Sequence, residues 1–265
     1  MVKRAGRASF MAKAMVFPGG RVDASDLDPA WADHCNESPS EAAVRLGLQP
    51  EEGAQALALL VAAARETFGE AGLLLACTSS GLAEGLIPTD AEPETSRVAA
   101  HRAAVQQDAA HFLPMLREEG LVLATDALAC LARWITPALE SKLFDTRFFA
   151  ARAPSGQEGR HDAHETTDSA WLTAADALAA YDAGQIQLAP PTYRTLLELA
   201  ELRGTEAILN LGDGTVPVTY APRFDATHRE VTLLLPGDEF EGGPGGARHR
   251  IVMRGERWVS EGRGF

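Results

Sequence analysis

The sequence predicts an α/β protein, in which helices and strands alternate over most of the chain and short strands form its end. Apolar residues recur at helical spacing between Pro50 and Leu75. They are Leu57, Leu60, Val61, Ala64 and Phe68. Residues 142–152 are rich in Leu and Phe and read as a strand, and the chain beyond residue 216 carries short β-prone runs separated by Gly, Pro and Asp turns.

The remaining elements follow from local signals. The polar stretch 23–53, rich in Asp, Glu and Pro, is interpreted as an inserted loop with a helical turn or two. The helical pattern runs from Pro50 to about Leu75, and Gly72 either ends the helix proper or loosens its last turn. Further helices are expected at 94–119, 125–134, 174–183 and 192–203. Strands are expected at 216–220, 230–235, 249–254 and 257–259.

These patterns divide the chain into two parts. The first is a domain over residues 1–200 that contains the insert at about 23–53, and the second is a β-rich C-terminal extension over residues 201–265 that packs on it. With 265 residues, 46% of them hydrophobic, the chain can bury a sizeable core.

The composition excludes two classes of partner. The formal net charge is -13, whereas nucleic-acid-binding proteins usually carry a basic stripe. The basic cluster of this chain is short and terminal: Lys3, Arg4, Arg7 and Lys13. No apolar run reaches the roughly 18 residues that a membrane span needs. We therefore expect neither a nucleic acid nor a membrane as partner, and a small anionic ligand only where a metal ion supplies positive charge.

The cysteines indicate a reducing compartment. Cys35, Cys77 and Cys130 are odd in number, and their spacing fits neither a zinc site nor a disulfide framework. The N-terminus has basic residues but lacks the continuous apolar segment of a signal peptide. We therefore expect inert thiols and a cytoplasmic location, and we leave a homodimer open.

Two glutamates form the candidate chemical site. Glu66 and Glu70 stand four residues apart, so both carboxylates project from one face of the predicted helix. Like charges so placed repel each other, and a divalent cation that prefers hard oxygen ligands, Mg²⁺ or Mn²⁺, resolves the repulsion. Arg65 is adjacent and could orient one carboxylate. Alone, such a pair is more often an ordinary solvated helix face.

The wider context of the pair resembles the Nudix family. Phe17-Pro18-Gly19-Gly20 and the stretch from Arg65 to Leu73, RETFGEAGL, are similar to the Nudix box, in which a glycine and a glutamate precede R-E-U-x-E-E-x-G-U, where U is aliphatic. Gly20 corresponds to the first glycine of the box. Its distance from Arg65, 45 positions, is far greater than the simple box requires.

One branch of the family looks similar in this long spacing: the peroxisomal-type Nudix hydrolases that cleave coenzyme A and acyl-coenzyme A, with their bacterial relatives. Residues 133–137 (RWITP) and 144–149 (FDTRFF) resemble segments of that branch, as does Glu165 followed by Trp171-Leu172-Thr173. The resemblance covers residues 2–199.

The resemblance implies a fold, a reaction and roles for residues. The fold is the Nudix α/β/α sandwich around a mixed sheet, here with a helical insert and the β-rich C-terminal extension. The reaction is attack of water on a diphosphate, with Glu66, Glu70 and the carbonyl of the Gly19–Gly20 turn holding Mg²⁺ or Mn²⁺. Glu165 is the candidate proton acceptor. Asp162 and Asp168 compete for that role.

The implied substrate is a small diphosphate, most specifically coenzyme A or acyl-coenzyme A, with ADP-ribose and NADH as alternatives. Arg21 and Arg147 are candidates for contact with the 3′-phosphate of coenzyme A. The chain departs from the box at Gly69, where the family has glutamate. A Nudix-fold binding module with a decayed metal site is therefore an alternative, and a helical interaction protein with an accidental box is a third interpretation.

Other motifs are weaker. His161, Asp162, His164 and Glu165 form a compact ligand-like cluster, but no further Cys or His partner for zinc is identifiable. The glycine-rich stretch 242–246 lacks the G-K-[ST] ending of a phosphate-binding loop and is interpreted as a turn.

Overall fold

The structure, a computed structural model, describes residues 1–4, 14–78, 97–137, 143–157, 159, 166–212, 216–225 and 230–262. The helices in this part of the chain are α1 (Pro39–Arg45), α2 (Gly53–Glu66), α3 (Arg97–Gln107), α4 (Phe112–Glu118), α5 (Ala174–Asp182), α6 (Pro190–Ala200) and α7 (Gly204–Leu209). No helix within it is long and apolar enough to cross a membrane.

The strands of the described residues build sheets of mixed direction. They are β1 (Val2–Arg4), β2 (Met15–Val16), β3 (Ala76–Thr78), β4 (Leu121–Leu123), β5 (Ala129–Ile135), β6 (Asp145–Ala150), β7 (Thr166–Ser169), β8 (Val218–Tyr220), β9 (Arg223–Asp225), β10 (Thr232–Leu234), β11 (Arg250–Arg254) and β12 (Arg257–Glu261). β1 lies between β2 and β7, and β5 lies between β6, which is antiparallel, and β8, which is parallel. β9 to β12 form an antiparallel sheet in sequence order, and β3 pairs with β4.

Two apolar clusters form the core. The first surrounds α2, whose Leu57, Leu60 and Val61 pack, together with Phe68 just after the helix, against α1, α3, α4 and the strands β3 to β5. The second lies between β5, the helices α5 and α6, and the C-terminal strands β10 and β11. The C-terminal region therefore shares its core with the rest of the chain, while the division at residue 200 stays a prediction.

The prediction of a helix over 125–134 is wrong, because Thr125–Ala127 form a single 3₁₀ turn and the chain from Ala129 onward forms β5. Side chains of β5 alternate between buried and half-buried, as one face of a sheet requires, with Cys130, Ala132 and Trp134 on the buried face. Pairing with β6 on one edge and β8 on the other holds it extended. The local sequence of this stretch does not distinguish a helix from a strand. Pairing with strands more distant in sequence decides that it is a strand.

The helix predicted over 94–119 is two helices in the described part. Asp108 lies between α3 and α4 in extended conformation and accepts a hydrogen bond from the Ala110 N–H (2.9 Å), which begins a short 3₁₀ turn that leads into α4. The insert at 23–53 folds into three 3₁₀ turns and α1, which begins at a Ser38–Glu41 capping box.

The C-terminal sheet is organised by one buried ion pair. Asp238 is fully buried and accepts two hydrogen bonds from the Arg250 guanidinium, at 2.8 and 2.9 Å. It also accepts the backbone N–H of His249 (2.8 Å) and of Phe240 (3.1 Å). The carboxylate therefore ties the turn after β10 to the start of β11.

His249 gives this region a dependence on pH. Its Nδ1 lies 2.6 Å from the carbonyl oxygen of Pro236, which can only accept, so Nδ1 carries the proton. Its Nε2 is buried without a hydrogen-bond partner among the described residues, so a second proton there would be unsatisfied. Burial accordingly lowers the pKa of His249 below its ordinary value of 6.5.

The free energy of unfolding should therefore fall as the pH drops below about 6.5, because the unfolded chain takes up a proton that the folded chain excludes until its own lower pKa is reached. In His249→Asn, an amide N–H can replace Nδ1–H and nothing titrates, so we expect a flatter decline. Urea unfolding between pH 7.5 and 5 measures this. Equal slopes in both proteins would contradict the role assigned to His249.

Candidate active site

The helix that carries the two glutamates changes its winding between them. α2 ends at Glu66, and residues Thr67–Ala71 form a π-helical turn that contains Glu70. Such single wide turns inside helices are frequent at functional sites. Gly72 then ends the element in the left-handed conformation (φ 71°), with its N–H bonded to the Phe68 carbonyl at 2.9 Å. Of the two roles open for Gly72 from the sequence, ending the helical element is the one that the structure shows.

The Gly19–Gly20 turn lies against both carboxylates. The N–H of Gly19 donates to Oε2 of Glu70 at 3.0 Å. A Cβ built on Gly20 would overlap the Glu66 carboxylate, whose carbon and two oxygens all lie within 2.8 Å of that position. Only glycine fits at position 20 with Glu66 in this place. The fold therefore brings the two halves of the predicted site together across 45 positions of sequence.

Arg65 holds this arrangement from the buried side. Its guanidinium makes two hydrogen bonds of 2.9 Å to Asp26, donates to the Arg21 carbonyl at 2.9 Å, and bonds Glu66 Oε1 at 2.8 Å. Burial by itself disfavours the charged form, but Asp26 and Glu66 outweigh it and raise the pKa of Arg65 above its ordinary value. Arg65 is therefore a fixed cation that orients the Glu66 carboxylate.

Asp26 is a site residue that the sequence analysis missed. Its side chain is almost fully buried, and besides Arg65 it accepts the N–H of Asp23 at 2.8 Å. The Asp23-Ala24-Ser25-Asp26 stretch is a capping pattern for a short 3₁₀ turn, which was the available signal. What the local pattern did not reveal is that the same carboxylate reaches Arg65.

Gly69 is buried in the π-helical turn, and space does not require a glycine there. A Cβ on Gly69 would approach Gln106 Cγ at 3.8 Å, an ordinary contact. The turn therefore has room for at least a Cβ at this position. The glycine in place of the box glutamate changes the chemistry of the turn, because it removes a carboxylate.

The proposed proton acceptor lies outside the described residues. Glu165, Asp162 and the ligand-like cluster around them fall in the stretch that the structure does not describe. The chain just before it is docked on the segment that follows the site helix, because the Gln157 side-chain amide bonds both the N–H and the carbonyl of Leu74, at 2.8 and 3.0 Å.

The two arginine candidates for phosphate contact lie in different places. Arg21 follows the glycine turn, and its carbonyl bonds Arg65. Arg147 is opposite Arg133 in the β5–β6 pair and interacts electrostatically with Glu52. Glu52 precedes the first residue of α2, about 20 Å along the helix from Glu66 at 1.5 Å per residue. Phe148, the neighbour of Arg147, nevertheless packs edge-on against Phe17, just before the glycine turn, with ring centroids 6.1 Å apart. Arg21 and Arg147 therefore both stay candidates for phosphate contact.

One other group of possible metal ligands is present among the described residues. The side chains of His101, Glu118 and Glu119 place one ligand atom each within 4.8 Å of one another, on α3 and at the end of α4. His101 Nε2 and Glu119 Oε1 are 2.8 Å apart, which is a hydrogen bond in its own right. This group shares no residue with the Glu66–Glu70 site.

Known proteins resemble the chain over most of its length. The NUDT19 Nudix domain model matches residues 1–199. The acyl-coenzyme A diphosphatase NUDT19 of Xenopus laevis is 27% identical over 96% of this chain and 80% of its own length. The chicken (Gallus gallus) protein of the same name is 28% identical over 90% and 71%.

A solved structure shows the same fold. The crystal structure of a Nudix hydrolase from Alicyclobacillus acidocaldarius superposes with a TM-score of 0.61 at 25% identity, covering 82% of this chain and 87% of that one. The predicted mixed α/β Nudix fold is thereby confirmed. With the glycine turn seated on the carboxylates of the box helix, these matches establish that the chain belongs to the NUDT19 Nudix domain family and is a Nudix hydrolase.

Proposed function

We propose that this protein hydrolyses the diphosphate of coenzyme A or an acyl-coenzyme A, using a divalent cation held by Glu66 and Glu70. The observation that supports it is the convergence of both carboxylates on the Gly19–Gly20 turn. The chain is similar to relatives named acyl-coenzyme A diphosphatase, which favours this substrate class.

The donor set fits Mg²⁺ or Mn²⁺. Among the described residues it consists of two carboxylates and the carbonyl groups of a glycine turn, which are the hard oxygen ligands that these ions prefer. A cation bound there would neutralise charge on the diphosphate oxygens and make water more acidic. We propose Glu66, Glu70 and the Gly20 carbonyl as its protein ligands.

The residues of the chain then have separate tasks. Arg65, fixed by Asp26, holds Glu66 in one orientation, while the Gly19 N–H holds Glu70. Water attacks one phosphorus, the bond from that phosphorus to the bridging oxygen breaks, and the bridging oxygen leaves with the other phosphate. Glu165 is proposed to accept the proton of the attacking water. The products from coenzyme A are 3′,5′-ADP and 4′-phosphopantetheine.

Elements around the box helix provide walls for a long substrate. The insert packs on α2 from one side, and α3 and α4 pack on it and on its π-helical turn from another. Such walls bury a pantetheine arm that a minimal domain would leave in water. The net charge of -13 gives no general attraction for an anionic substrate, so local cations such as Arg21 must contact it.

A substrate panel tests the assignment. We expect kcat/KM with Mg²⁺ or Mn²⁺ to be at least about 10-fold higher for coenzyme A or an acyl-coenzyme A than for ADP-ribose and NADH, since contacts remote from the diphosphate contribute when they also stabilise the transition state. Initial rates measured side by side decide it. A preference for ADP-ribose or NADH would overturn the substrate and leave the hydrolase assignment standing.

Gly69 supports a second candidate, a binding module that has lost turnover. The family box has glutamate at this position, and its loss removes one carboxylate from the turn. Such a module would be stabilised thermally by coenzyme A with Mn²⁺ and would not turn it over. Turnover by the wild-type protein therefore excludes this alternative.

The compartment and the assembly remain predictions. Cys77 and Cys130 are buried and Cys35 is partly buried, all three as free thiols. Burial raises the pKa of Cys130 to about 11 and that of Cys35 to about 12. Such thiols are unreactive, which supports our proposal of a cytoplasmic location. A homodimer is likewise open to measurement by light scattering.

A further inference from the structure

We propose that Arg102 and Gln106 of α3 are positioning residues for the metal site, and that they act by fixing the main chain on both sides of Glu70. This inference rests on the proposed role of Glu70 as a cation ligand. It assigns the task to a helix that lies outside the box in sequence.

Three hydrogen bonds from α3 reach carbonyl oxygens of the π-helical turn. The Gly69 carbonyl accepts from Arg102 Nε at 2.9 Å and from Gln106 Nε2 at 2.6 Å. The next carbonyl, that of Glu70, accepts from Arg102 Nη2 at 3.0 Å. The planar guanidinium therefore spans two successive carbonyl groups that the end of a helix leaves without partners in the helix.

Holding these two carbonyls fixes the direction of the Glu70 side chain. Each peptide group is planar, so the only soft dihedrals between the Gly69 and Glu70 carbonyls are those about the Glu70 Cα. With both planes held, the Cα–Cβ bond of Glu70 has one direction, and its carboxylate reaches the Gly19 N–H at 3.0 Å. The same carboxylate is the proposed ligand, so α3 sets its position relative to Glu66.

Gly72 has a second role in this arrangement. A Cβ at Gly72 would lie 2.9 Å from Arg102 Nη1, so a side chain there would push the guanidinium away from the turn. α3 is itself anchored, because the adjacent His101 bonds Glu119 beyond α4. We call this arrangement the brace. It consists of the anchored helix α3, the planar guanidinium of Arg102, and Gly72, whose lack of a side chain lets the guanidinium approach.

The test measures Mn²⁺ binding by calorimetry without substrate, together with kcat, KM and the unfolding midpoint. We expect Arg102→Met to weaken Mn²⁺ binding about 10-fold or more and to lower kcat more than it raises KM, since groups that orient metal ligands typically contribute that much. Arg102→Lys should recover only part of the loss, because one ammonium cannot span both carbonyls as the guanidinium does. Gln106→Ala should weaken Mn²⁺ binding less, and Gln107→Ala, its exposed neighbour on α3, should not change it.

Each outcome decides between roles. A lower unfolding midpoint with unchanged Mn²⁺ affinity in Arg102→Met and Gln106→Ala would show that the contacts only support the fold, and would overturn the proposal. If Arg102→Met does not fold, Gln106→Ala against Gln107→Ala decides by itself. If Glu70→Gln leaves Mn²⁺ affinity unchanged, the metal site and the brace both fail. If Glu70→Gln abolishes binding and the α3 variants do not affect it, the brace alone fails.

Discussion

Glu70→Gln is expected to lower kcat/KM about 100-fold or more while the protein stays folded. Glutamine keeps the size of the side chain and an oxygen that can still accept the Gly19 N–H, so the turn retains its contact. It removes the negative charge, and a neutral amide is a much weaker ligand for Mg²⁺ or Mn²⁺ than a carboxylate. Initial rates with the preferred substrate, circular dichroism and Mn²⁺ titration measure the three parts of this expectation.

A matched control separates the box from the other acidic group. Glu118→Gln makes the same chemical change at an exposed glutamate in the His101–Glu118–Glu119 group. We expect it to leave kcat/KM and Mn²⁺ affinity as in the wild type. Near-normal activity of a folded Glu70→Gln protein, above all with loss in Glu118→Gln, would remove the central claim.

Gly20→Ala should cost about 10-fold or more in both Mn²⁺ affinity and kcat/KM. The added methyl group would occupy the position of the Glu66 carboxylate, so either that carboxylate or the glycine turn must move. Movement of Glu66 also breaks its bond to Arg65, which leaves the ligand without its orienting cation. The fold should survive, because residue 20 is exposed and lies outside the two core clusters.

Gly19→Ala is the natural comparison for that variant. A Cβ at Gly19 would meet no atom of the described residues within 4 Å, so the same substitution one position earlier introduces no overlap with them. We expect activity close to that of the wild type. Equal losses in the two variants would show that flexibility of the turn matters rather than the packing of Glu66 on Gly20.

The sequence by itself determined the chemical residues and the local elements around them. Spacing along one helix predicted that Glu66 and Glu70 share a face, and the preference of glycine for the left-handed conformation made Gly72 a candidate helix end. These are short-range properties, since each depends on residues a turn or two apart. The pairing of the glycine turn with the box was available only through resemblance to the family.

Tertiary structure alone decided how the site is held. Asp26 reaches Arg65 only because the insert folds back onto α2, and Arg102 reaches the π-helical turn only because α3 packs across it. The same holds for β5. Its residues were predicted to be helical, and they form a strand because they pair with β8, more than 80 positions later in the chain. Hydrogen bonds between distant segments leave no periodic signal in a single sequence, because either partner alone reads as an ordinary polar side chain or an ambiguous strand.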